Sequence, residues 1–458
     1  MNNYLYFMNK KINSFSISEN AAAALDLLES KGFQAFLAGG CVRDLVMGKA
    51  PHDWDITTSA LPEETKEVFA KAGFKTVDTG IAHGTVTAIV GGEPLEITTF
   101  RSESEYSDHR RPDSVSFVST PEEDVKRRDF TMNALLYSPS TGIVDLVGGL
   151  EDIENGLIRA VGSPSERFAE DALRIMRALR FSSTLGFEIE EKTSDALFEH
   201  MGLLRAISEE RKRVEFTKLL LGKDAKYVLF RYSRIIEVIV PNIHPMIGFD
   251  QNNPHHCYDV WMHTLEALEA VRPDPVLRLT MFFHDIEKPA CHTMDSDGIS
   301  HFHTHPEKSA ATAEKVMKSL RFSNDEIEAV TRLIRFHDFR FPPQRKNVLN
   351  LLNRIGEDSF RLLLEVKRAD LSAQSPYYID EKRALVDSIE EVLDHVIEEN
   401  ACFSLRDLAV KGSDLIEEGF SPGKELGNML SILLTAVIDE KLPNDKAVLL
   451  DYAVKNFR

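Results

Sequence analysis

The stretch GGCVRDLVMGKAPHDWD, residues 39–55, holds a glycine pair, Arg43–Asp44 and then Asp53-Trp54-Asp55. On a strand, residues i and i+2 point to one face, so Asp53 and Asp55 are expected side by side. Two carboxylates held that way repel each other unless a cation lies between them. Mg²⁺ suits the position, because it takes oxygen ligands and keeps waters and substrate phosphates in its shell. Two such ions activate an attacking hydroxyl and stabilise a leaving pyrophosphate. Gly39 and Gly40 let backbone come close to a triphosphate and offer it N–H groups. Arg43 either adds charge or pairs with Asp44 to brace the turn. Glu96, in PLEITTF, is a candidate third acid, although strand alternation alone reads it equally well as an exposed glutamate. A lone Asp-x-Asp is ordinarily a solvated turn; its combination with the glycines and VRD at this spacing carries the weight.

A second set of residues lies far along the chain. HHCYDVWMHTLEAL (255–268), FFHDIEKP (282–289), HFHTHPEKSA (301–310), RLIRFHD (332–338) and VKRADLSA (366–373) repeatedly present His and Asp. Imidazole and carboxylate together suit divalent metals. A single His on an apolar helix is more often a core residue, but six in series are harder to read that way. The apolar run VLRLTMFF before His284 would bury its helix and leave the polar pair at a pocket.

The elements that must position these groups follow from pattern. NAAAALDLLESK (20–31) reads as a helix capped by Asn20. FQAFLAGG reads as a strand entering a turn, CVRDLVMG as a helix start, WDITT as a strand and PEETKEVFAKAG as a helix ended by Gly73. GTVTAIV and PLEITTF read as strands. That order predicts an α+β domain with a small mixed sheet. RSESEYSDHRRPDSVSF (101–117) reads as a loop, and VKRRDFTMNALLYS as leading into a helix. After GIVDLVGG (142–149) strand signals nearly vanish, and from about residue 165 helix follows helix.

Composition bounds the rest. The chain has 458 residues, 43% apolar and 28% charged, which predicts two to four soluble globular domains. No apolar run approaches bilayer length. MNNYLYFMNKK lacks a secretory pattern, and four scattered cysteines suggest a reducing compartment, so a cytoplasmic location is expected. The net charge of −19 argues against general nucleic-acid binding, and no DNA partner is expected. RNA binding then needs cations gathered on one face; RIMRALR (174–180) and RAISEERKR (205–213) are two such gatherings. Oligomeric state is not legible.

The residues so far resemble the class II, bacterial-type tRNA nucleotidyltransferase and poly(A) polymerase family. GGCVRDLVMGKAPHDWDITT resembles its opening motif. RRDFTMNA (127–134) resembles its second, EDALRIMRALRF (170–181) its nucleotide-selecting motif, and EERKRVEFTKLL (209–220) its neck-bracing helix. VKGSDLIEEGFSPGKELGNML (410–430) resembles its tail. The resemblance implies a polymerase-β-like nucleotidyltransferase head over residues 14–155 and a helical neck with the nucleotide-selecting region over 156–245. An HD domain over 246–375 and a helical, tRNA-binding tail over 376–458 would follow. It implies that Arg128, Asp129 and Asn133 contact the sugar and phosphates of the incoming nucleotide. It implies that Asp171 and Arg174 select the base, with CTP, ATP and tRNA as partners and Mg²⁺ at Asp53 and Asp55.

Base selection also has a direct chemical reading. Residues three apart on a helix are neighbours. Asp171 only accepts hydrogen bonds and Arg174 only donates them. Cytosine and adenine both show an amino donor beside a ring-nitrogen acceptor, which this pair matches; guanine and uracil do not. The plainer reading is an intrahelical salt bridge. Arg177 would reach phosphate, and Arg180 would face RNA or a neighbouring helix.

The expected reaction is template-independent addition of CCA to tRNA. CC-only addition, A-only addition and poly(A) synthesis are family alternatives. The segment 101–117 resembles the flexible loop of CCA- and A-adding members. The G-[RK]-[RK]-F run of poly(A) polymerases is replaced by GIAHGTVTAIV. The second cluster resembles the HD phosphohydrolase superfamily. That resemblance makes His263, His284, Asp285 and Asp370 ligands of a divalent metal of unknown identity, and adds His305 and His337 as ligands of binuclear members. Glu287 stands where that superfamily usually has glycine, while Lys288 is kept. A phosphohydrolase whose head only binds RNA is the alternative of another class.

Overall fold

The structure is a computed structural model, and it describes residues 15–103 and 115–457. The chain divides into two compact units between Ile239 and Val240. No helix among the described residues is long and apolar enough to cross a membrane.

The first unit opens with α1 (Glu19–Glu29), β1 (Ala35–Ala38), α2 (Gly40–Val46), β2 (Asp55–Thr58) and α3 (Pro62–Lys71). Three strands follow, β3 (Lys75–Gly80), β4 (Thr85–Val90) and β5 (Glu93–Thr99). The short β6 (Arg101–Glu103) and β7 (Val115–Phe117) pair with each other, and α4 (Pro121–Lys126), β8 (Leu136–Ser138) and β9 (Gly142–Val144) come next. The main sheet runs β3-β4-β5-β2-β1-β8-β9. It is mixed: β2 and β5 are parallel, whereas the other neighbours are antiparallel. One face buries Leu37, Ile56 and Ile97 against Leu25, Leu28, Val42 and Phe69. Phe36, Phe100, Leu136 and Val161 gather in a second cluster.

Several local expectations change. The cap of α1 is Ser18, whose hydroxyl accepts from the Ala21 N–H, because the helix begins one residue before Asn20. KTVDTG forms β3, whose sparse apolar content hid it; its largely exposed position at the sheet edge explains that content. Residues 101–103 and 115–117 are strands, not loop, and the intervening part of the expected loop lies outside the described residues. LYS of VKRRDFTMNALLYS is strand β8, since pairing to β1 overrides its helix-compatible composition.

The remainder of this unit is largely helical: α5 (Gly149–Glu154), α6 (Pro164–Glu170), α7 (Leu173–Leu185), α8 (Glu191–His200), α9 (Glu209–Leu220), α10 (Ala225–Arg231) and α11 (Ser233–Ile239). A small parallel pair, β10 (Leu157–Ile158) with β11 (Glu188–Ile189), interrupts it.

The second unit contains α12 (Val260–Ala270), α13 (Pro275–Phe283), α14 (His305–Ser319) and α15 (Asn324–Phe336). A small hairpin of β12 (Thr293–Met294) and β13 (Ser300–His301) precedes α14. The helices continue with α16 (Arg345–Ile355), α17 (Glu357–Ser372), α18 (Ile379–Glu398), α19 (Gly412–Glu417), α20 (Lys424–Ile438) and α21 (Lys446–Phe457). Helix starts obey local chemistry. Asp259 accepts from the Met262 N–H, and Asp274 accepts from those of Val276 and Leu277. Trp261, Leu265, Phe282, Phe283, Ile334 and Phe360 are fully buried between α12, α13, α15 and α17.

Candidate functional site

In the first unit, the acids converge. Asp53 lies in the bend just before β2, not on the strand, so the shared-face argument does not apply to it. The turn still brings it close enough for its charge to act on Asp55. Glu96 is the register partner of Asp55 on the neighbouring parallel strand β5. The carboxylate of Asp55 opens to a cavity of about 190 Å³ shared with Glu96, Arg101, Arg127 and Arg128. Withheld water raises the Asp55 pKa to about 6, with Asp53 and then Glu96 adding repulsion and Arg128 opposing. Two acids facing one space, one of them destabilised in its charged form, with a third acid close by, fit a divalent cation held by oxygen ligands.

Gly39 starts α2 at φ +77°, a conformation that favours glycine, and an added Cβ would stand 3.4 Å from Arg128 Nη1. An added Cβ at Gly40 would lie 3.7 Å from Arg43 Nη2. Arg43 pairs with Asp44 at 2.7 Å and donates to Asn133 Oδ1 at 2.7 Å. Asp44 therefore braces the turn and does not join the acid cluster. Asn133 donates to Asp129, which accepts from Arg177 through Nε at 2.9 Å and Nη2 at 2.5 Å. Burial would raise the Asp129 pKa, but the Arg177 guanidinium holds it below the usual carboxylate range. Arg180 pairs with Glu215 of α9 at 2.6 Å, so its expected neighbouring-helix contact is present. Arg43, Asn133, Asp129 and Arg177 thus form one hydrogen-bonded chain. Phe181, which the spacing argument passed over, has the guanidinium carbons of Arg180, Arg177 and Arg43 at 3.7, 5.4 and 5.2 Å from its ring centroid. Its signal was position: it ends the RIMRALRF stripe.

The expected Asp171–Arg174 pair is not formed. Asp171 has extended backbone (φ −128°, ψ 100°) and separates α6 from α7, so the two residues do not share a helix face. Its carboxylate accepts from the Leu173 N–H at 3.0 Å and pairs with Arg211 of α9 at 2.9 Å. Arg174 is buried, pairs with Glu170 at 2.7 Å and donates to the carbonyls of Arg167 and Arg127 at 3.1 and 2.8 Å. The last contact ties α7 to the cavity wall. The simple intrahelical bridge between these two residues is therefore absent, and each is held by another partner. Arg127 and Arg211 were present in the quoted motifs, but sequence spacing gave them no separate role.

The second unit brings all six of its candidates together. His263 Nε2 lies 3.3 Å from Asp285 and 3.1 Å from Asp370; His284 Nε2 lies 3.1 Å from Asp285. His305 and His337 approach the other Asp285 oxygen at 3.2 and 3.7 Å. Two groups of ligand-type atoms result, His263–His284–Asp285 and Asp285–His305–His337, sharing one aspartate. In each histidine Nδ1 faces a carbonyl: Ala373 at 3.1 Å for His263, and Met281, Phe302 and Ile334 at 2.7 Å for His284, His305 and His337. A carbonyl only accepts, so each Nδ1 carries a proton and each ring turns its Nε2 inward.

Neither Asp285 oxygen accepts a well-angled hydrogen bond although both are buried, and Lys288 Nζ stands 2.7 Å away. Burial would raise the Asp285 pKa, but the charges of His284 and Lys288 hold it well below the usual range. A buried carboxylate with open lone pairs between two sets of inward-facing imidazoles fits a divalent metal. Glu287 accepts from the Thr312 hydroxyl at 2.6 Å. The cluster borders a cavity of about 1,040 Å³.

Comparison with known proteins decides the family. The CCA-adding enzyme of Lactobacillus helveticus is 36% identical over 435 residues, covering 93% of this chain and 94% of that protein. The chain belongs to the CCA-adding enzyme family. The Enterococcus faecalis CCA-adding enzyme is likewise 36% identical, over 95% of this chain and 96% of its own. The family model described as Poly A polymerase head domain matches residues 35–159, and that of tRNA nucleotidyltransferase domain 2 matches residues 295–453. The solved CCA-adding enzyme of Bacillus stearothermophilus in complex with CTP is 28% identical, with TM-score 0.67, over 96% of this chain and 97% of that one. These family relationships agree with the α+β fold expected from the sequence.

Proposed function

We propose that this chain adds CCA to the 3′ end of tRNA, using CTP and ATP in a metal-dependent nucleotidyl transfer. The observation that carries the reading is the convergence of Asp55 and Glu96 on one cavity beside Arg128, with Asp53 near enough to repel Asp55. Its relatives across nearly the full chain are CCA-adding enzymes, and the Bacillus stearothermophilus structure holds CTP. Asp53 and Asp55, with Glu96, would hold Mg²⁺. Bound there, the ion would supply positive charge to an attacking RNA 3′ hydroxyl and to the departing pyrophosphate.

The chain's own residues do the positioning. Gly39 and Gly40 keep the backbone beside the cavity free of side chains. Arg128 faces the cavity and balances phosphate charge, while the Arg43–Asn133–Asp129–Arg177 chain holds the nucleotide's sugar side in register. Asp171 and Arg174 select cytosine and adenine once Arg211 and Glu170 release them.

The test offers purified protein each NTP with tRNA ending before CCA, tRNA ending in CC, and an unrelated RNA. The expected products are two C residues and then one A on tRNA alone. Long A tracts on unrelated RNA, or arrest after CC with ATP present, would replace this reading with a polymerase or CC-adding one.

For the second unit, the shared Asp285 supports a binuclear HD-type phosphohydrolase centre, with His263, His284, Asp285 and Asp370 on one side and His305 and His337 on the other. A bound divalent metal would activate water for phosphate-ester cleavage. Lys288, beside Asp285, would steady the phosphate's charge. Release of phosphate from p-nitrophenyl phosphate by the metal-loaded protein, absent in His284→Ala, is the expected result.

A further inference from the structure

Asp124 of α4 is fully buried and lies just before the RRDFTMNA motif, outside the residues that sequence spacing singled out. Its carboxylate is divided between two arginines. Oδ1 accepts from Arg127 Nε at 2.9 Å and Nη2 at 2.6 Å, and Oδ2 accepts from Arg128 Nη2 at 2.9 Å. The arginines stand three and four residues after it, and Arg127 keeps helical backbone (φ −83°, ψ −10°), so a single turn brings both guanidiniums to one acid. Burial would raise the Asp124 pKa, but the charges of Arg127 and Arg128 hold it below the usual carboxylate range.

Both arginines line the cavity that Asp55 and Glu96 share. Arg128 is near enough to oppose the rise in the Asp55 pKa, and its Nη1 would stand 3.4 Å from a Cβ at Gly39. Arg128 gives Nη2 to Asp124, whereas its Nε is buried with no hydrogen-bond partner among the described residues. Arg101, another cation lining the cavity, turns its backbone N–H to Asp124 Oδ1 at 3.4 Å. From the α7 side, Arg174 Nη2 donates to the Arg127 carbonyl at 2.8 Å and pins the same turn.

Adjacent guanidiniums repel each other, and unrestrained arginines sample many rotamers. A ligand that had to gather them would bind more weakly for both reasons; an anion fixed behind them removes both costs before the ligand arrives. A buried ion pair gains little stability over apolar packing, so stability alone is a weak reason for an acid at this position. We infer that Asp124 is a positioning residue for the incoming triphosphate, holding Arg127 and Arg128 at the cavity wall without touching the nucleotide itself. The inference rests on the reading of this cavity as the nucleotidyl-transfer site. Where the carboxylate stands then matters as much as the charge it carries.

The experiment measures equilibrium affinity of the full-length protein for CTP and for CMP in the presence of Mg²⁺. The two probes differ only in the phosphates that the arginines would hold. Asp124→Asn keeps the side chain's size but sets an amide donor against one guanidinium. Its CTP affinity should fall about 10–100-fold, the scale of losing the outer partner of a site residue. CMP affinity should stay nearly unchanged. Asp124→Glu keeps the charge, and with it the folded state should Asp124→Asn fail to fold, but moves the carboxylate by one methylene. It should also lose much of the preference for CTP over CMP. An unchanged preference in Asp124→Glu, an equal loss of both probes, or tighter CTP binding in Asp124→Asn would overturn the positioning role. Nucleotide addition to tRNA by the wild type separates the two readings. A CTP preference that falls in the variants, without addition by the wild type, removes the CCA-adding reading and leaves the positioning role standing. Addition by the wild type, with an unaltered preference in the variants, removes the positioning role alone.

Discussion

Asp55 on β2 and Glu96 on β5 are register partners across a parallel strand pair, so two acids separated by forty-one residues in sequence are neighbours in the sheet. Their mutual repulsion helps raise the Asp55 pKa to about 6. A raised carboxyl pKa means that protons compete with a metal from pH 6 downward. Mg²⁺ affinity at the head is therefore expected to fall as pH drops through about 6. Glu96→Gln removes one repelling charge, lowers the Asp55 pKa and moves that midpoint down, while reducing affinity at neutral pH. Calorimetric Mg²⁺ titrations at several pH values read both effects. Asp55→Asn should reduce nucleotide addition by about 10²–10³-fold or more, the scale of losing one preorganised electrostatic partner.

Asp171 has two tasks that a substitution can separate. Its carboxylate pairs with Arg211, and it also accepts the Leu173 N–H at the start of α7. Asp171→Asn keeps an oxygen for the helix start but puts a donor beside the base. It should loosen discrimination against UTP and GTP while leaving triphosphate affinity nearly unchanged. Asp171→Ala adds a cap loss of about 1 kcal/mol. Competitive incorporation of the four NTPs measures the first effect and thermal unfolding the second. Unchanged discrimination in both variants would remove Asp171 from base reading.

The His–Asp cluster makes a prediction that does not depend on the head. His284→Ala should lower bound divalent metal in the folded protein, measured by elemental analysis after dialysis against Mn²⁺, and leave CCA addition intact. Asp285→Asn is more severe in the metal-free protein. It removes the carboxylate that faces His263 and His284 and pairs with Lys288, leaving the buried Lys288 ammonium without its partner. The expected loss is about 3–5 kcal/mol in denaturant unfolding, as for one partner of a buried ion pair.

Thiol chemistry gives an independent check on the head's packing. Burial, helped by the charge of Asp55, pushes the Cys41 thiol up to about 11. The thiolate is the reactive form, so at pH 8 Cys41 stays protonated and inert. Cys257 is exposed. Brief iodoacetamide treatment of the folded protein should label Cys257 and spare Cys41, with Cys41 labelled only after unfolding. Peptide mass mapping distinguishes the two.

The division of the molecule into a head with a mixed sheet and a long helical remainder was legible in the chain itself, because glycine turns, strand alternation and helix caps are local signals. The candidate acids and the six His and Asp residues could be named from residue type, order and family resemblance, while their mutual approach could not. Tertiary structure decided what those residues touch. Pairing to β1 made LYS a strand, and pairing of β2 with β5 brought Glu96 to Asp55. The break at Asp171 gave it Arg211 as partner in place of Arg174, and the packing of α12, α13, α14, α15 and α17 let one aspartate face four imidazoles. Local propensity acts over a few residues, whereas a contact across a sheet or between helices depends on register and packing that no short stretch encodes alone.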